Sequence, residues 1–487
     1  MSQPTPASAG VGLRSERGPV LGSVMLGTAL IALDATILAT AVPSVVSDLG
    51  GFAQFPWLFS IYVLAQAVSV PIYGKLADQI GRKPIMLFGI GLFVLGSILC
   101  GIAWSMPALI GFRAVQGLGA GAIGPMGMTI IGDIYSVAER AKVQGYVASV
   151  WGISSVVGPT LGGVFTDFIS WRAIFAVNIP LGVIAAWMLW RNFDESVTAT
   201  KHKIDFAGAA TLAVGTSLII LGLLEGGVLW QWSSPPSVLI FVVGAVVLVL
   251  FVIIERHASE PVLPGWAFTR RIFVGVYIAA MAVGVLTLGL SSYVPMFVQE
   301  VLGTSALIAG FALAGMTLGW PVAASQAGKI YLRIGFRNTA LIGGVFGLVG
   351  TASLLLLGPG SSPVQVGLSC VVIGIGMGLI ASPTLVAAQA VVGWQQRGVV
   401  TATNMFARSM GSAVGTAVFG AIANATLSRH GVVGSGSSHE AGNGAASGVP
   451  PLLLSDAVHQ VFLGAVVIGV LMLVAIMIIP RRIETAE

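Results

Sequence analysis

Charge is what this chain has least of. Asp, Glu, Lys and Arg make up only 8% of its 487 residues, where a soluble globular domain carries roughly a quarter. That scarcity excludes a soluble domain of ordinary type. Cysteine is almost missing: Cys100 and Cys370 both lie in apolar runs, which excludes a disulfide framework and reads as packing. The five histidines form no metal-ligand spacing, so no metal or other cofactor is expected. No Walker loop with its Lys-Ser/Thr is found, so ATP is not the energy source. Gly117, Gly119 and Gly121 fall inside an apolar run and not after a strand, which rejects a dinucleotide site. Nothing in the sequence suggests an enzyme. The first apolar segment is too long for a cleavable signal peptide and reads as a retained span. Residues 1–13 read as disordered.

What the chain has in excess is apolar length. Hydrophobic residues make up 56% of it. Windows of about 20 residues, enough to cross a ~30 Å hydrocarbon core as helix, predict fourteen spans: 19–42, 57–74, 85–104, 107–131, 143–166, 172–190, 206–228, 236–254, 272–298, 305–327, 338–358, 364–391, 399–424 and 457–479. An even count puts both termini on one side. Nineteen of the 23 Lys and Arg residues then share that side, while Arg172 and Arg429 fall opposite and Arg113 and Arg408 fall inside spans. The positive-inside rule makes the shared side cytoplasmic. The net charge of +5 therefore belongs to loops facing the lipid bilayer, and no nucleic-acid partner is expected.

A ten-residue pattern occurs twice. Gly74-Lys-Leu-Ala-Asp-Gln-Ile-Gly81-Arg-Lys83 follows the second span, and Gly328-Lys-Ile-Tyr-Leu-Arg-Ile-Gly335-Phe-Arg337 follows the tenth. Repeats that begin at spans one and nine each hold six helices, leaving spans seven and eight as an insertion. The predicted organisation is a cytoplasmic tail (1–18), an N-terminal six-helix bundle (19–190), a linker with two inserted helices (191–271), a C-terminal six-helix bundle (272–480) with a flexible outer loop (425–456), and a second cytoplasmic tail (481–487). Repeated halves with a substrate site between them are a transporter architecture.

The ionisable residues inside spans are the functional candidates. Asp34 interrupts an uncharged run from Pro19 to Val42. Burial raises a carboxylate's pKa and a nearby arginine lowers it. A carboxylate that alternates between those settings loads and releases a proton; the structural alternative is a permanently ionised partner of Arg113. Arg113 reaches a similar depth in its own span and meets Asp34 directly, through Gln116, or through water; binding to backbone carbonyls alone is the other reading. In the first repeat Gly74 permits close helix approach. Asp78 suits a helix N-terminus. Arg82 and Lys83 suit Asp78 or lipid phosphates, and Lys75 and Gly81 complete the pattern. Gly158, Pro159, Gly162 and Gly163 set small residues four apart beside a kink, for tight packing. Glu225, near the outer end of the inserted span seven, reaches interfacial water, faces lipid or serves as an auxiliary proton site. Arg408, beside Asn404 and Ser409, either binds an anionic substrate or packs against a carbonyl. Met126, Met128, Met405 and Met410 are packing residues or the lining of a permissive pocket.

Four motifs in order (Leu33-Asp34-Ala35-Thr36 through Ala41-Val42-Pro43, Gly74–Pro84, Arg113-Ala-Val-Gln-Gly117 and Gly158-Pro-Thr-Leu-Gly-Gly163) resemble the major facilitator superfamily, specifically its fourteen-helix drug:proton antiporters. The resemblance covers about 19–480. It implies an all-α fold, a monomer in the cell (inner/plasma) membrane, and multidrug efflux of hydrophobic or amphipathic small molecules driven by protons through alternating access. It also implies that Gly74–Lys83 latches the outward-facing state, that Arg113 takes part in proton coupling, and that Gly158–Gly163 marks antiport. Leu332 stands where the first repeat has Asp78, so the second latch is expected to be weaker. The competing readings are a dedicated exporter of an endogenous lipid, siderophore or antibiotic, a symporting importer, and a membrane sensor without flux.

Overall fold

The structure is a computed structural model that describes residues 11–50, 57–195, 205–225, 230–258, 261–429 and 450–481. Most of the predicted flexible outer loop, the stretch 196–204 of the linker and the tail 482–487 lie outside the described residues. The described residues fold into α-helices: α1 (Gly18–Leu49), α2 (Trp57–Ile80), α3 (Arg82–Gly101), α4 (Met106–Ile134), α5 (Val137–Phe168), α6 (Ala173–Ala176), α7 (Asn178–Asn192), α8 (Phe206–Glu225), α9 (Pro235–His257), α10 (Trp266–Thr269), α11 (Arg271–Met296), α12 (Ala306–Ile334), α13 (Phe336–Leu354), α14 (Pro363–Ala390), α15 (Trp394–Arg429) and α16 (Pro451–Ile478).

Local chemistry sets the helix ends. Ser105 caps α4 by accepting the Ala108 N–H at 3.3 Å. Ser136 and Glu139 form a reciprocal capping box on α5, as Ser362 and Gln365 do on α14, each satisfying two otherwise orphaned N–H groups. The sixth predicted span is interrupted at Val177, between α6 and α7. Pro180 has no N–H for the Ala176 carbonyl, so the helical ladder breaks one turn before it. Pro295 does the same inside α11, and a π-turn over Phe297–Val301 follows it.

Each of the fourteen predicted spans overlaps a helix, but the count of fourteen is not supported. Twelve helices among the described residues are long and apolar enough to cross a membrane. The apolar part of α8, Ala207–Leu223, is too short. α13 is weakened by Arg337 and Asn338 in its first turn and by its small residues. The chain is a multi-pass, all-helical membrane protein.

Two compact units divide the chain. The first comprises Met1–Gln66, Tyr73–Lys201 and Val392–Gly398; the second comprises Ala67–Ile72, His202–Val391 and Val399–Glu487. In the first, α3 runs along α4, and α1 lies against α5 and α7. A side chain at Gly119 would strike the Phe93 and Gly89 backbones, and one at Gly96 would strike Gln116. Close packing of small residues holds helices together where lipid removes the hydrophobic drive. In the second unit α14 packs between α12 and α13, α8 pairs with α9, and α11 with α16. Gly284 and Gly411 bring α11 and α15 into backbone contact at Arg408 and Met281.

Candidate coupling site and gating cluster

Five helices of the first unit converge on Asp34. Its carboxylate is 4% exposed. Arg113 Nη1 donates to Oδ2 at 2.5 Å, Gln116 Nε2 to Oδ1 at 2.7 Å and Asn178 Nδ2 to Oδ1 at 3.3 Å. Arg113 and Gln116 come from α4, Asn178 from the first turn of α7. Ser97 on α3 accepts from both amides, Gln116 at 2.9 Å and Asn178 at 3.2 Å. α2 supplies the Leu58 carbonyl, which accepts Arg113 Nε at 3.1 Å, and the Tyr62 ring, 4.2 Å beneath the guanidinium. Arg113 Nη1 also reaches Gln116 Oε1 at 2.6 Å. A buried carboxylate and guanidinium are costly unless paired and hydrogen-bonded, and here both are. Asp34, Arg113 and Gln116, expected together, are together. Ser97, Tyr62 and Asn178 were not foreseen; only Asn178, a polar residue two before a proline in an apolar run, left a usable signal.

A second polar cluster of the same unit gathers on Arg82, which is fully buried. Its Nη2 donates to Asp78 Oδ1 at 2.8 Å and to the Trp394 carbonyl at 2.5 Å. Its Nε lies 3.0 Å from Asp133 Oδ2 and 3.9 Å from Glu195 Oε1. The guanidinium stacks 3.6 Å over the Trp394 ring, a favourable cation–π placement. Asp78 Oδ1 also accepts the Gly398 N–H at 3.0 Å, in the first turns of α15. A Cβ at Gly398 would collide with Asp78 and with the Gly74 carbonyl. Asp133 is shared with Arg397 at 3.3 Å. Gly81, at φ +102°, ends α2 and starts α3 with no side-chain cap of its own. Glu195 supplies one instead, accepting the Arg82 and Lys83 N–H groups at 2.9 Å each. Lys83 Nζ lies 3.9 Å from Asp194. Asp133, Glu195, Trp394 and Arg397 escaped the sequence reading because loop-end charges look like a solvated face.

Residues 24–416 match the profile of the Major Facilitator Superfamily. The chain belongs to that superfamily. Over 431 residues it is 38% identical to multidrug resistance protein 3 of Bacillus subtilis, covering 88% of this chain and 84% of that one. It is 33% identical to the multidrug transporter protein MdtP of the same organism, over 85% and 76% of the two chains, and 31% identical to the efflux pump dotC of Dothistroma septosporum, over 81% and 69%. The crystal structure of the human organic anion transporter MFSD10 shares the fold, with a TM-score of 0.61 at 16% identity over 93% of this chain and 99% of that one.

The other expected positions of this superfamily member are scattered. Gly158 lies against α1, where a Cβ would strike the Thr36 side chain. The Thr36 hydroxyl in turn sits 3.1 Å from the Ser154 carbonyl. Gly162 is buried in α5, and Gly163 faces open space. Pro159 lies within α5, and its side chain is outside the described residues. Lys75 lies in the last two turns of α2. Glu225 is buried at the end of α8 in the second unit. Met126 is core packing; Gln144 Nε2 lies 3.9 Å from Met128 Sδ. Met405, Arg408 and Met410 are half-buried on α15. Asn404 is 8% exposed. No group of three or more metal-ligating residues occurs among the described residues.

Proposed function

We infer that the chain is a proton-coupled exporter of hydrophobic or amphipathic small molecules, a drug:proton antiporter of the plasma membrane with both termini in the cytoplasm. Multidrug and efflux names among relatives at 31–38% identity support the export of small molecules. The observation that carries proton coupling is the Asp34 site. A proton on Asp34 removes the negative charge that Arg113 faces at 2.5 Å. The guanidinium keeps its other partners, the Leu58 carbonyl, Gln116 Oε1 and the Tyr62 ring, so it stays in place while its counter-charge is gone. Leaving one member of a buried pair unbalanced costs about 3–5 kcal/mol. That energy favours whichever conformation lets Arg113 find another anion or water. Only a difference in affinity between two states shifts their populations, and the proton supplies that difference here. The Gly74–Lys83 cluster, with Asp78 on the first turns of α15, suits a contact made in one state and broken in the other. Two six-helix bundles working by alternating access complete the reading.

The test is export from inverted vesicles under an imposed proton gradient. Asp34→Asn keeps the side-chain shape and the Gln116 contact but cannot ionise. It is expected to insert normally and to lose gradient-driven export by at least about a hundredfold, the scale on which proton-transfer groups act. Gradient-driven export that persists in Asp34→Asn overturns the coupling assignment.

A further inference from the structure

We propose that Arg408 and Asn404 form an anion-recognition point in the second unit, so that this chain selects amphipathic substrates carrying a carboxylate or similar acidic group. The proposal rests on the exporter reading and names its substrate class.

Arg408 lies mid-way along α15, within the candidate span Trp394–Leu427. Among the described residues it forms no ion pair, in contrast to Arg113. An arginine at such depth needs a counter-charge or a wet cavity. Asn404 sits one turn earlier on the same helix face. It is 92% buried, with 8% exposure, and its Nδ2 has no hydrogen-bond partner. Burying an amide donor unpaired is unfavourable. The Arg408 guanidinium and the Asn404 Nδ2 are both pure donors. What the set lacks is an acceptor with negative charge.

The backbone around it is fixed. A Cβ at Gly284 would strike the Arg408 carbonyl, and one at Gly411 would strike that of Met281. Ser412 Oγ donates to the Gly284 carbonyl at 3.3 Å. The root of Arg408 is therefore held by α11 while its head stays half-buried. Met405, three residues before Arg408 on the same helix face and also half-buried, gives a pliable apolar neighbour. A planar carboxylate suits the guanidinium fork, and an apolar body suits the methionine.

The experiment compares three probes that share one apolar body: pyrenebutyrate (anionic), its amide (neutral) and pyrenebutylamine (cationic). Each is titrated by fluorescence against the full chain in lipid nanodiscs. The wild type is expected to bind the butyrate at least about tenfold more tightly than the amide, as a charge-assisted pair predicts. Arg408→Gln should bring the two within about twofold, chiefly by weakening the butyrate. Arg408→Lys should keep part of the preference. Asn404→Asp supplies an internal carboxylate one turn from Arg408 and should abolish the preference. Equal binding of butyrate and amide by the wild type, survival of the preference in Arg408→Gln, or equal weakening of all three probes in every variant would overturn the proposal. Binding needs no gradient, so its outcome is separate from the Asp34→Asn export test.

Discussion

The two copies of the ten-residue pattern share a backbone and little else. Both end a helix and begin the next at a glycine in the left-handed region, Gly81 at φ +102° and Gly335 at φ +84°. At the position of Arg82 the second copy has Phe336, which stacks on Tyr331 with ring centroids 4.7 Å apart. At the position of Asp78 it has Leu332, 52% exposed. Among the described residues no ion pair involves Lys329, Arg333 or Arg337, whereas Arg82 faces three carboxylates. A repeated sequence has thus kept a geometric device, the sharp break between helices, and filled it once with a polar lock and once with an aromatic pair. The glycines secure the break; the electrostatics depend on residues far away in sequence, Asp133, Glu195 and Trp394, which have no guaranteed counterpart in the other half.

Exchanging the fillings breaks the comparison most sharply. Arg82→Ala leaves Asp78 and Asp133 buried without that cation, and breaking such a buried pair costs about 3–5 kcal/mol. Phe336→Ala loses one ring contact, about 0.5–1.5 kcal/mol beyond burial. Apparent thermal midpoints of the purified variants should therefore fall much further for Arg82→Ala, and export should be lost only there. Equal losses would show that the two copies are not divided as described. The shared backbone predicts the opposite symmetry. Gly81→Ala and Gly335→Ala each impose on an L-residue a positive-φ, extended-ψ conformation that is nearly glycine's alone, at about 1–3 kcal/mol, and should lower the midpoint by similar amounts. The smallest effect is expected at an exposed polar cluster. Asp48, ten residues past the candidate span that ends at Leu38, accepts from Arg172 at 2.6 Å and Trp171 at 3.0 Å. Those bonds, Arg172 first, hold its carboxyl below the usual carboxylate range. A lowered folded-state pKa gives stability that is full above the unfolded value, about 3.9, and disappears as pH falls through the folded one. Midpoints measured from pH 6 down to pH 3 should show a slight acid loss, absent in Asp48→Asn and reduced by salt.

Helix positions were legible because apolar length is a direct physical requirement of the bilayer. Their ends were less so: α1 runs through Pro43 to Leu49 and does not stop at residue 42, although a proline at that point reads as a helix end. The break at Val177 was written in Pro180, and among the described residues α8 and α13 fall short of the apolar length that the residue windows credit to them. In the site, Asp34 and Arg113 stood out because ionisable residues in apolar runs need partners. Ser97 and Tyr62 did not, because a lone serine or tyrosine in an apolar helix has many innocent uses. Glu195 was hidden by its neighbourhood: in the charged stretch 191–205 nothing marks the one carboxylate that caps a helix more than a hundred residues away.

The Asp34 carboxylate is fixed by reference to α1, α2, α3, α4 and α7 together. No single helix can tilt or slide by an ångström without lengthening a bond in that web. The acid therefore behaves as a strain gauge wired to five struts. Any deformation of the bundle, from whichever side the load arrives, is felt at one spot as a change in the bonds that hold a single carboxylate.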